Sequence, residues 1–368
     1  MKVVVTGAGG FIGKNLCTSL DRIEGLEVKR VFSSTQKDQY RNWVKEAEII
    51  YHLAGVNRPK DPSEFISGNT YFTREILELA AEGGNVPTVV VSSTTQAMKD
   101  NDYGKSKRAA EELIEEYASK SKINGAIYRL PGVFGKWSRP NYNSVVSTFC
   151  YNVANDLPLE VRDRSFAFPL VYVDDVVHAF LSHLNSRFKG LGTFEVSPVF
   201  YTTLGELADV ISSFPGLRES LLAPKVGKGL EKRLYSTYLS YLPTDKFSYP
   251  MELKKDNRGD LFEWIKSEDF GQIFVSTTKP GITRGNHYHH TKTEKFLVIR
   301  GEAEIGFRQI DSDQIITYKV NGSKPTVVDI PTGYTHNITN TGQTELITLF
   351  WANEIFDLER PDTYFLEV

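Results

Sequence analysis

Thr6-Gly7-Ala8-Gly9-Gly10-Phe11-Ile12-Gly13 follows directly on the apolar run Val3-Val4-Val5 and leads into a helix-period segment over 14–20. A strand, a glycine-rich turn and a helix in that order form the start of a phosphate-cradling βα unit. Gly7 would supply the tight turn, Gly10 the close approach to a pyrophosphate and Gly13 the helix–strand packing, with the helix N-terminus facing the negative charge. A turn into a helix can be glycine-rich for structural reasons alone, so the surrounding pattern decides. Apolar runs at 49–53, 89–92 and 126–129 read as further buried strands, separated by helix-period segments at 73–81 and 106–117. That alternation predicts an α/β doubly wound parallel sheet of Rossmann type.

The pattern changes beyond Leu222. Residues 223–250 are rich in Pro, Gly, Tyr and Lys and show no convincing periodicity. After them come closely spaced strand-like segments at 272–277, 294–299, 303–308, 315–320, 326–330 and 346–352, with turn residues between. This predicts a small all-β sandwich or barrel. The expected division is 1–245 for the α/β domain and 246–368 for the all-β domain, and 368 residues suit two domains.

Hydrophobic residues make up 40% of the chain, charged residues 24% and aromatics 12%, the composition of a globular protein able to bury large cores. Lys+Arg 43 against Asp+Glu 46 gives a net charge of −3, and no block of like charge is long enough for a nucleic-acid or membrane footprint. A small-molecule partner is expected instead. Two cysteines, Cys17 and Cys150, are too few for a disulfide framework or a Cys-rich zinc site and fit a reducing compartment. The apolar run before the first glycine is far short of a signal-peptide core, and no stretch approaches the ~20 apolar residues of a membrane span. A cytoplasmic location is expected.

Tyr103-Gly104-Lys105-Ser106-Lys107 places a tyrosine and a lysine four apart, on one face of a helix. A phenol with a pKa of about 10 is a poor acid–base group at neutral pH, and a neighbouring ammonium pulls that value down. A hydroxyl from Ser92-Ser93-Thr94-Thr95, just beyond a buried strand, could share the substrate oxygen. In isolation the Tyr–Lys pair reads equally as a surface contact.

Together these residues resemble the extended short-chain dehydrogenase/reductase family over about the first 240 residues. The glycine loop, His52-Leu53-Ala54-Gly55, Thr94 and Tyr103 with Lys107 match in order. Arg129-Leu130-Pro131-Gly132-Val133-Phe134-Gly135 and Val171-Tyr172-Val173-Asp174-Asp175-Val176 add to the match. The resemblance implies that Tyr103 is the acid/base, Lys107 its pKa modulator and ribose binder, and Thr94 the oxygen-orienting hydroxyl. It implies cofactor contacts from Gly7, Gly10, Phe11, Ile12, Gly13, Ser33, Leu53, Ala54, Gly55, Pro131, Tyr103 and Lys107, and a nucleotide-sugar substrate. NAD-preferring relatives carry an acid at the end of the second strand, whereas residues 28–35 contain none and Arg30 and Lys37 are near, so NADPH is favoured. Relatives that dehydrate nucleotide sugars place Asp-Glu after the catalytic threonine. Here Thr95-Gln96 follows, which argues for a reductase.

In the second domain, Gly281, His287, His289, Glu294 and Gly301 are followed by Pro331, Gly333, His336 and Asn340. His287 and His289 are two apart and so share a strand face. Three imidazoles and one carboxylate suit Zn²⁺, with Fe²⁺, Mn²⁺ and Ni²⁺ also possible. These two motifs resemble the cupin superfamily, a jelly-roll barrel, with a longer spacing than usual between Gly322 and Pro331. Asp256-Asn257-Arg258-Gly259-Asp260-Leu261-Phe262-Glu263 is similar to a segment of sugar-nucleotide 3,5-epimerases, which implies substrate contacts from Arg258 and Glu263. A structural ion pair between these two is the alternative.

An extended reductase joined to a metal cupin resembles the bifunctional enzymes of bacterial capsular polysaccharide synthesis. The resemblance implies a UDP-4-keto-6-deoxy-N-acetylhexosamine substrate, epimerised at C3 by the cupin and reduced at C4 with NADPH to UDP-2-acetamido-2,6-dideoxy-L-talose, in a homodimer paired through the cupin domains. His290, Tyr288 and Tyr334 are the candidates for proton transfer at C3. The rival readings are a reductase whose cupin only binds sugar or dimerises, a 4,6-dehydratase, and a non-enzymatic sugar-responsive regulator.

Overall fold

The computed structural model describes residues 1–185 and 188–368. The chain divides into two compact units, one of residues 1–212 with 227–243 and one of 213–226 with 244–368. Residues 213–226 join the second unit through Leu222, which bridges to Lys266, and through Ala223, whose N–H donates to the Lys266 carbonyl.

The strands of the first unit are, in chain order, β1 (Lys2–Thr6), β2 (Glu27–Val31), β3 (Ile49–His52), β4 (Thr88–Thr94), β5 (Asn124–Leu130), β6 (Gly132–Phe134), β7 (Ala167–Tyr172), β8 (Leu191–Phe194) and β9 (Phe200–Thr203). Six of them form a parallel sheet in the order β2-β1-β3-β4-β5-β8. β1 is a continuous valine run because both of its faces are covered. Val3 and Val5 enter a core with Leu16, Leu20 and Tyr51, while Val4 enters the opposite core with Ile50, Ile76 and Val89. The helices Phe11–Leu20 and Phe72–Ala81 supply much of the two layers. β2 and β3 flank β1 on opposite sides, so the strand order reverses there and a crevice opens at the carboxyl ends of β1 and β3. The glycine loop and residues 52–55 emerge at that crevice.

Residues 229–239 form a helix, Gly229–Leu239, where no periodicity was legible. Its buried positions, Leu234, Thr237 and Tyr238, are helically spaced, but Thr237 is a small polar residue whose hydroxyl donates to the Arg233 carbonyl. A polar residue on the buried face hides the apolar period.

The second unit holds β10 (Lys254–Asp256), β11 (Gly259–Ser267), β12 (Gly271–Thr278), β13 (Thr283–Tyr288), β14 (Glu294–Arg300), β15 (Glu302–Gln309), β16 (Ile315–Asn321), β17 (Val327–Ile330), β18 (Tyr334–Asn340), β19 (Leu346–Ala352) and β20 (Tyr364–Phe365). They form two antiparallel sheets, β10-β11-β12-β19-β14-β17 and β16-β15-β18-β13-β20, in a cupin-type jelly roll. Phe296, Val298 and Phe350 from the first sheet share a core with Ile305, Phe307 and Ile338 from the second. β11 escaped the period-2 reading because a bulge between Glu263 and Ile265 leaves Trp264 exposed and breaks the alternation. Among the described residues no helix is long and apolar enough to cross a membrane.

Candidate functional site

A cleft of ≈ 620 Å³ opens at the carboxyl ends of the parallel strands, and Gly7, Gly10, Phe11, Ile12, Gly13, Leu53, Gly55, Thr94, Tyr103, Lys107 and Pro131 all line it. Gly7 has φ +66°, and a Cβ there would lie 2.6 Å from the Ala54 nitrogen; a Cβ on Gly13 would lie 2.2 Å from the Gly7 carbonyl oxygen. The loop therefore tolerates no side chain at either position, which leaves a cradle bounded by backbone. Ala54 and Ser33 are not on the lining. Ala54 acts through its N–H, which donates to Thr6 Oγ1 at 3.3 Å. Ser33 lies just beyond β2, where Arg30 pairs with Asp21 and Lys37 with Glu75 (2.8 Å). Both cations near the second strand thus pair with carboxylates at the surface.

Tyr103 and Lys107 sit in the first turns of the helix Asp102–Ser119, which Asn101 caps by accepting from the Gly104 N–H at 2.7 Å. Lys107 is buried, and its Nζ donates to the Ser92 carbonyl at 2.7 Å. Burial pushes its pKa down to about 8, against the opposing pull of Glu111. Burial also pushes the Tyr103 phenol up from its ordinary value. The expectation that the neighbouring ammonium lowers it is not met: desolvation sets the direction. Thr94 ends β4 and caps the following turn by accepting from the Gln96 N–H at 3.2 Å.

Buried polar contacts hold these elements in place. His52 bridges Thr6 Oγ1 at 2.8 Å and Thr73 Oγ1 at 2.9 Å, and burial, with Lys107 adding, drives its pKa down to about 3. It is a neutral tie between β1, β3 and the helix Phe72–Ala81. Asn69, in a π-helical turn over Ile66–Tyr71, accepts from the Val56 N–H at 2.8 Å and donates to Ser106 Oγ at 2.9 Å. It thereby pins the 53–56 loop to the helix that carries Tyr103. Glu111, fully buried, accepts from Ser93 Oγ and from Arg129 Nη2 at 2.7 Å.

A second cleft of ≈ 820 Å³ adjoins the first at Tyr142, Asn143 and Ser144, and is lined also by Arg58, Asn152 and Arg162. The Arg58 and Arg139 guanidinium groups lie 5.6 and 5.4 Å from the centre of the Tyr142 ring. Motif reading missed these residues, because nothing in their spacing marks them and only the fold collects them.

In the second unit, His287, His289, Glu294 and His336 converge, with one ligand atom from each lying within 4.8 Å of the others. They come from both sheets: His287 and His336 are register partners on β13 and β18, and Glu294 opens β14. A bulge after Gly285, which has φ +100°, re-aims His287. Glu294 Oε2 lies 3.5 Å from both His289 Nε2 and His336 Nε2, too long for good hydrogen bonds, and both nitrogens are buried without a partner. Ligands ~2.1 Å from a common tetrahedral ion would be separated by about 3.4 Å, so the donor set fits a divalent metal. Burial pushes His287 down to about 4, which leaves its ring neutral with a lone pair to give. Burial acts upward on Glu294, but the two imidazoles outweigh it and hold the carboxyl at about 2.

Tyr288, the last residue of β13, follows His287 and so faces the other way, and His290 beyond the strand packs on the same side. With Tyr364 they form a ring cluster, His290 lying 5.4 Å from Tyr288 and 4.9 Å from Tyr364. Their rings thus pack with Tyr364 rather than with the four converging side chains. Tyr334, two residues before His336 on β18, shares its face. Arg258 and Glu263 are not paired with each other. Arg258 makes two bonds to Asp256, at 2.9 and 2.6 Å, and holds that carboxyl down to about 2; Glu263 pairs with Lys254 and Lys266.

Residues 3–196, more than half of the chain, match the NAD dependent epimerase/dehydratase family. The chain belongs to that family. Residues 254–364 match the polysaccharide biosynthesis C-terminal domain. The chain is 44% identical over 364 residues, 99% of its length and 98% of the relative's, to UDP-2-acetamido-2,6-beta-L-arabino-hexul-4-ose reductase of Pseudomonas aeruginosa. It superimposes with a TM-score of 0.93 and 46% identity, over 100% of each chain, on the capsular polysaccharide assembling protein CapF from Staphylococcus aureus. UDP-glucose 4-epimerase of Thermus thermophilus in complex with NAD matches with a TM-score of 0.53 and 21% identity, over 66% of this chain and 99% of that one, a likeness of fold. Membership in the NAD dependent epimerase/dehydratase family implies a nicotinamide cofactor, and the cradle that a Cβ on Gly7 or Gly13 would fill fits it.

Proposed function

We propose that the chain is a bifunctional nucleotide-sugar enzyme that epimerises a UDP-2-acetamido-2,6-dideoxy-4-keto-hexose at C3 and then reduces the C4 ketone with NADPH, giving UDP-2-acetamido-2,6-dideoxy-L-talose for capsule or O-antigen synthesis. The carrying observation is the pairing, in one chain, of a dinucleotide cleft walled by Tyr103 and Lys107 with a buried three-histidine, one-carboxylate cluster. The 4-keto hexose named in the reductase relative from Pseudomonas aeruginosa supports the substrate class.

Bond acidity sets the order. A C3 proton is acidic only while C4 is a ketone that can delocalise the carbanion, so epimerisation precedes reduction. When bound, the nicotinamide supplies hydride and the divalent metal, Zn²⁺ in this reading, supplies Lewis acidity. His287, His289, Glu294 and His336 hold the metal. Tyr334 moves a proton at C3, being the one candidate on the ligand face of its strand. In the first unit Tyr103 gives a proton to the C4 oxygen, Thr94 orients that oxygen, and Lys107 binds the cofactor ribose and supports the phenol as a donor. The adjoining cleft with Arg58 and Arg162, together with Arg139 from the first cleft, takes the nucleotide diphosphate, a task for a few placed cations rather than a basic surface. Arg258 and Glu263 serve the sugar nucleotide at the second site once Asp256 releases the guanidinium. NADPH rests on the absence of an acid after β2 and on the hydroxyls of Ser33, Ser34 and Thr35. The edge strand β16, with Ile315 and Tyr318 exposed, supports a homodimer paired through this unit.

Absorbance of NADPH during turnover of the UDP-4-keto-6-deoxy sugar tests the reductase half. Wild type should consume one NADPH per product, and Tyr103→Phe should fall by at least ~10²-fold in rate. Conversion of the keto sugar without net NADPH consumption would instead mark C3 epimerisation alone and refute the reductase half, and an unaffected Tyr103→Phe would refute the assigned proton donor.

A further inference from the structure

β20 adds to the edge of the five-stranded sheet beside β13, with Phe365 opposite His287 and Tyr364 opposite Tyr288. Immediately before it, Asp362 has φ +38°, a conformation that residues other than glycine rarely hold without compensating contacts. The contacts are present. The Asp362 carboxylate accepts from the N–H groups of His290 (3.0 Å), Thr291 (2.8 Å) and Lys292 (2.8 Å), and from Thr291 Oγ1 (3.0 Å). Lys292, itself buried, donates back to the Pro361 carbonyl at 2.8 Å and to Thr363 Oγ1 at 2.9 Å. Residues 290–292 and 361–363 therefore grip each other from both sides.

The grip reaches the metal-type cluster through one bond. The Asp362 main-chain carbonyl contacts His289 Nδ1. A carbonyl only accepts, so Nδ1 carries the hydrogen, and Nε2, the atom that faces Glu294 at 3.5 Å, is the nitrogen whose lone pair a metal would take. A ligating histidine is commonly oriented this way by an acceptor behind its second nitrogen.

We propose that Asp362 is a positioning residue for the metal site: its carboxylate fixes the 290–292 loop, and its carbonyl sets the tautomer and ring orientation of His289. The C-terminal segment is then part of the metal site rather than a tail closing the sheet. This inference rests on the reading of the cluster as a metal site, and the experiment separates the two. Wild-type full-length protein, Asp362→Asn, Asp362→Gly and His336→Ala are stripped with chelator and titrated with Zn²⁺ against a chromogenic competitor, with thermal melts taken alongside. Glycine suits the backbone at φ +38° while deleting the carboxylate; asparagine keeps one acceptor oxygen.

Wild type should bind one Zn²⁺ per chain and His336→Ala should lose it. Asp362→Gly should bind 10–100-fold more weakly, in the range of other outer-shell losses, and Asp362→Asn should fall between. Wild-type affinity in Asp362→Gly, whatever its melting temperature, overturns the positioning role, because a purely structural anchor would move the melt and leave the affinity alone. If Asp362→Gly does not fold, Asp362→Asn decides by the same criterion. No Zn²⁺ binding by wild type would overturn the metal reading and this inference with it.

Discussion

Lys107 should weaken the first unit at neutral pH. Its ammonium is buried, and the pKa falls from 10.5 to about 8. The unfolded chain therefore binds the proton more tightly than the folded one. Below pH 8 both states carry the charge and the folded state bears the full penalty; between pH 8 and 10.5 the folded lysine deprotonates first and the penalty shrinks; above 10.5 it is gone. At ~1.4 kcal/mol per tenfold, the drop corresponds to about 3 kcal/mol. The bond to the Ser92 carbonyl survives deprotonation, since a neutral amine still donates. Lys107→Met removes the titration and leaves every other ionisable group in place. Urea unfolding at 222 nm follows the first unit, where the long helices lie. From pH 8 to 10.5 wild type should gain about 3 kcal/mol relative to Lys107→Met, with a constant difference below pH 8. A difference that stays flat from pH 7.5 to 10.5 would refute the account of a charge buried for function at the expense of stability.

Two other substitutions probe the scaffolds. Glu111→Ala leaves Arg129 and Ser93 facing an empty buried site and should cost about 3 kcal/mol, at the low end for a broken buried pair because Arg129 is partly solvated; denaturant midpoints at constant slope would read this out. Gly285→Ala forces a Cβ to 2.8 Å from the His336 carbonyl oxygen at φ +100°. It should destabilise the second unit by ~2 kcal/mol and weaken Zn²⁺ binding, seen by melting and by competitive titration; unchanged binding would show that the bulge does not aim His287.

Local spacing made part of this architecture legible. The Val3–Val5 run and the glycines that follow lie within a dozen residues, and the two-sided burial of β1 explains why no polar residue interrupts the strand. The convergence of His287, His289, Glu294 and His336 was legible because the first three are close in sequence and His336 follows a recognisable Pro–Gly turn. What escaped is tertiary. Asn69 in its π-helical turn, the Glu111–Arg129 pair and Asp362 are ordinary polar residues until folding brings their partners to them. The surface pairing of Arg30 with Asp21 and of Lys37 with Glu75 was likewise invisible, because the partners lie on other elements. The orientation of Tyr288 was legible too: if His287 faces inward along β13, the period of two turns Tyr288 outward.

The central claim is a division of labour in which the second unit opens the C3–H bond before the first delivers hydride to C4. NMR of the UDP-4-keto-6-deoxy-N-acetyl sugar incubated in D₂O with Tyr103→Phe tests it most directly. The account predicts that deuterium enters C3 at the wild-type rate in this variant, with or without NADPH, and that His336→Ala abolishes the exchange. Loss of C3 exchange in Tyr103→Phe, or its persistence in His336→Ala, would contradict it.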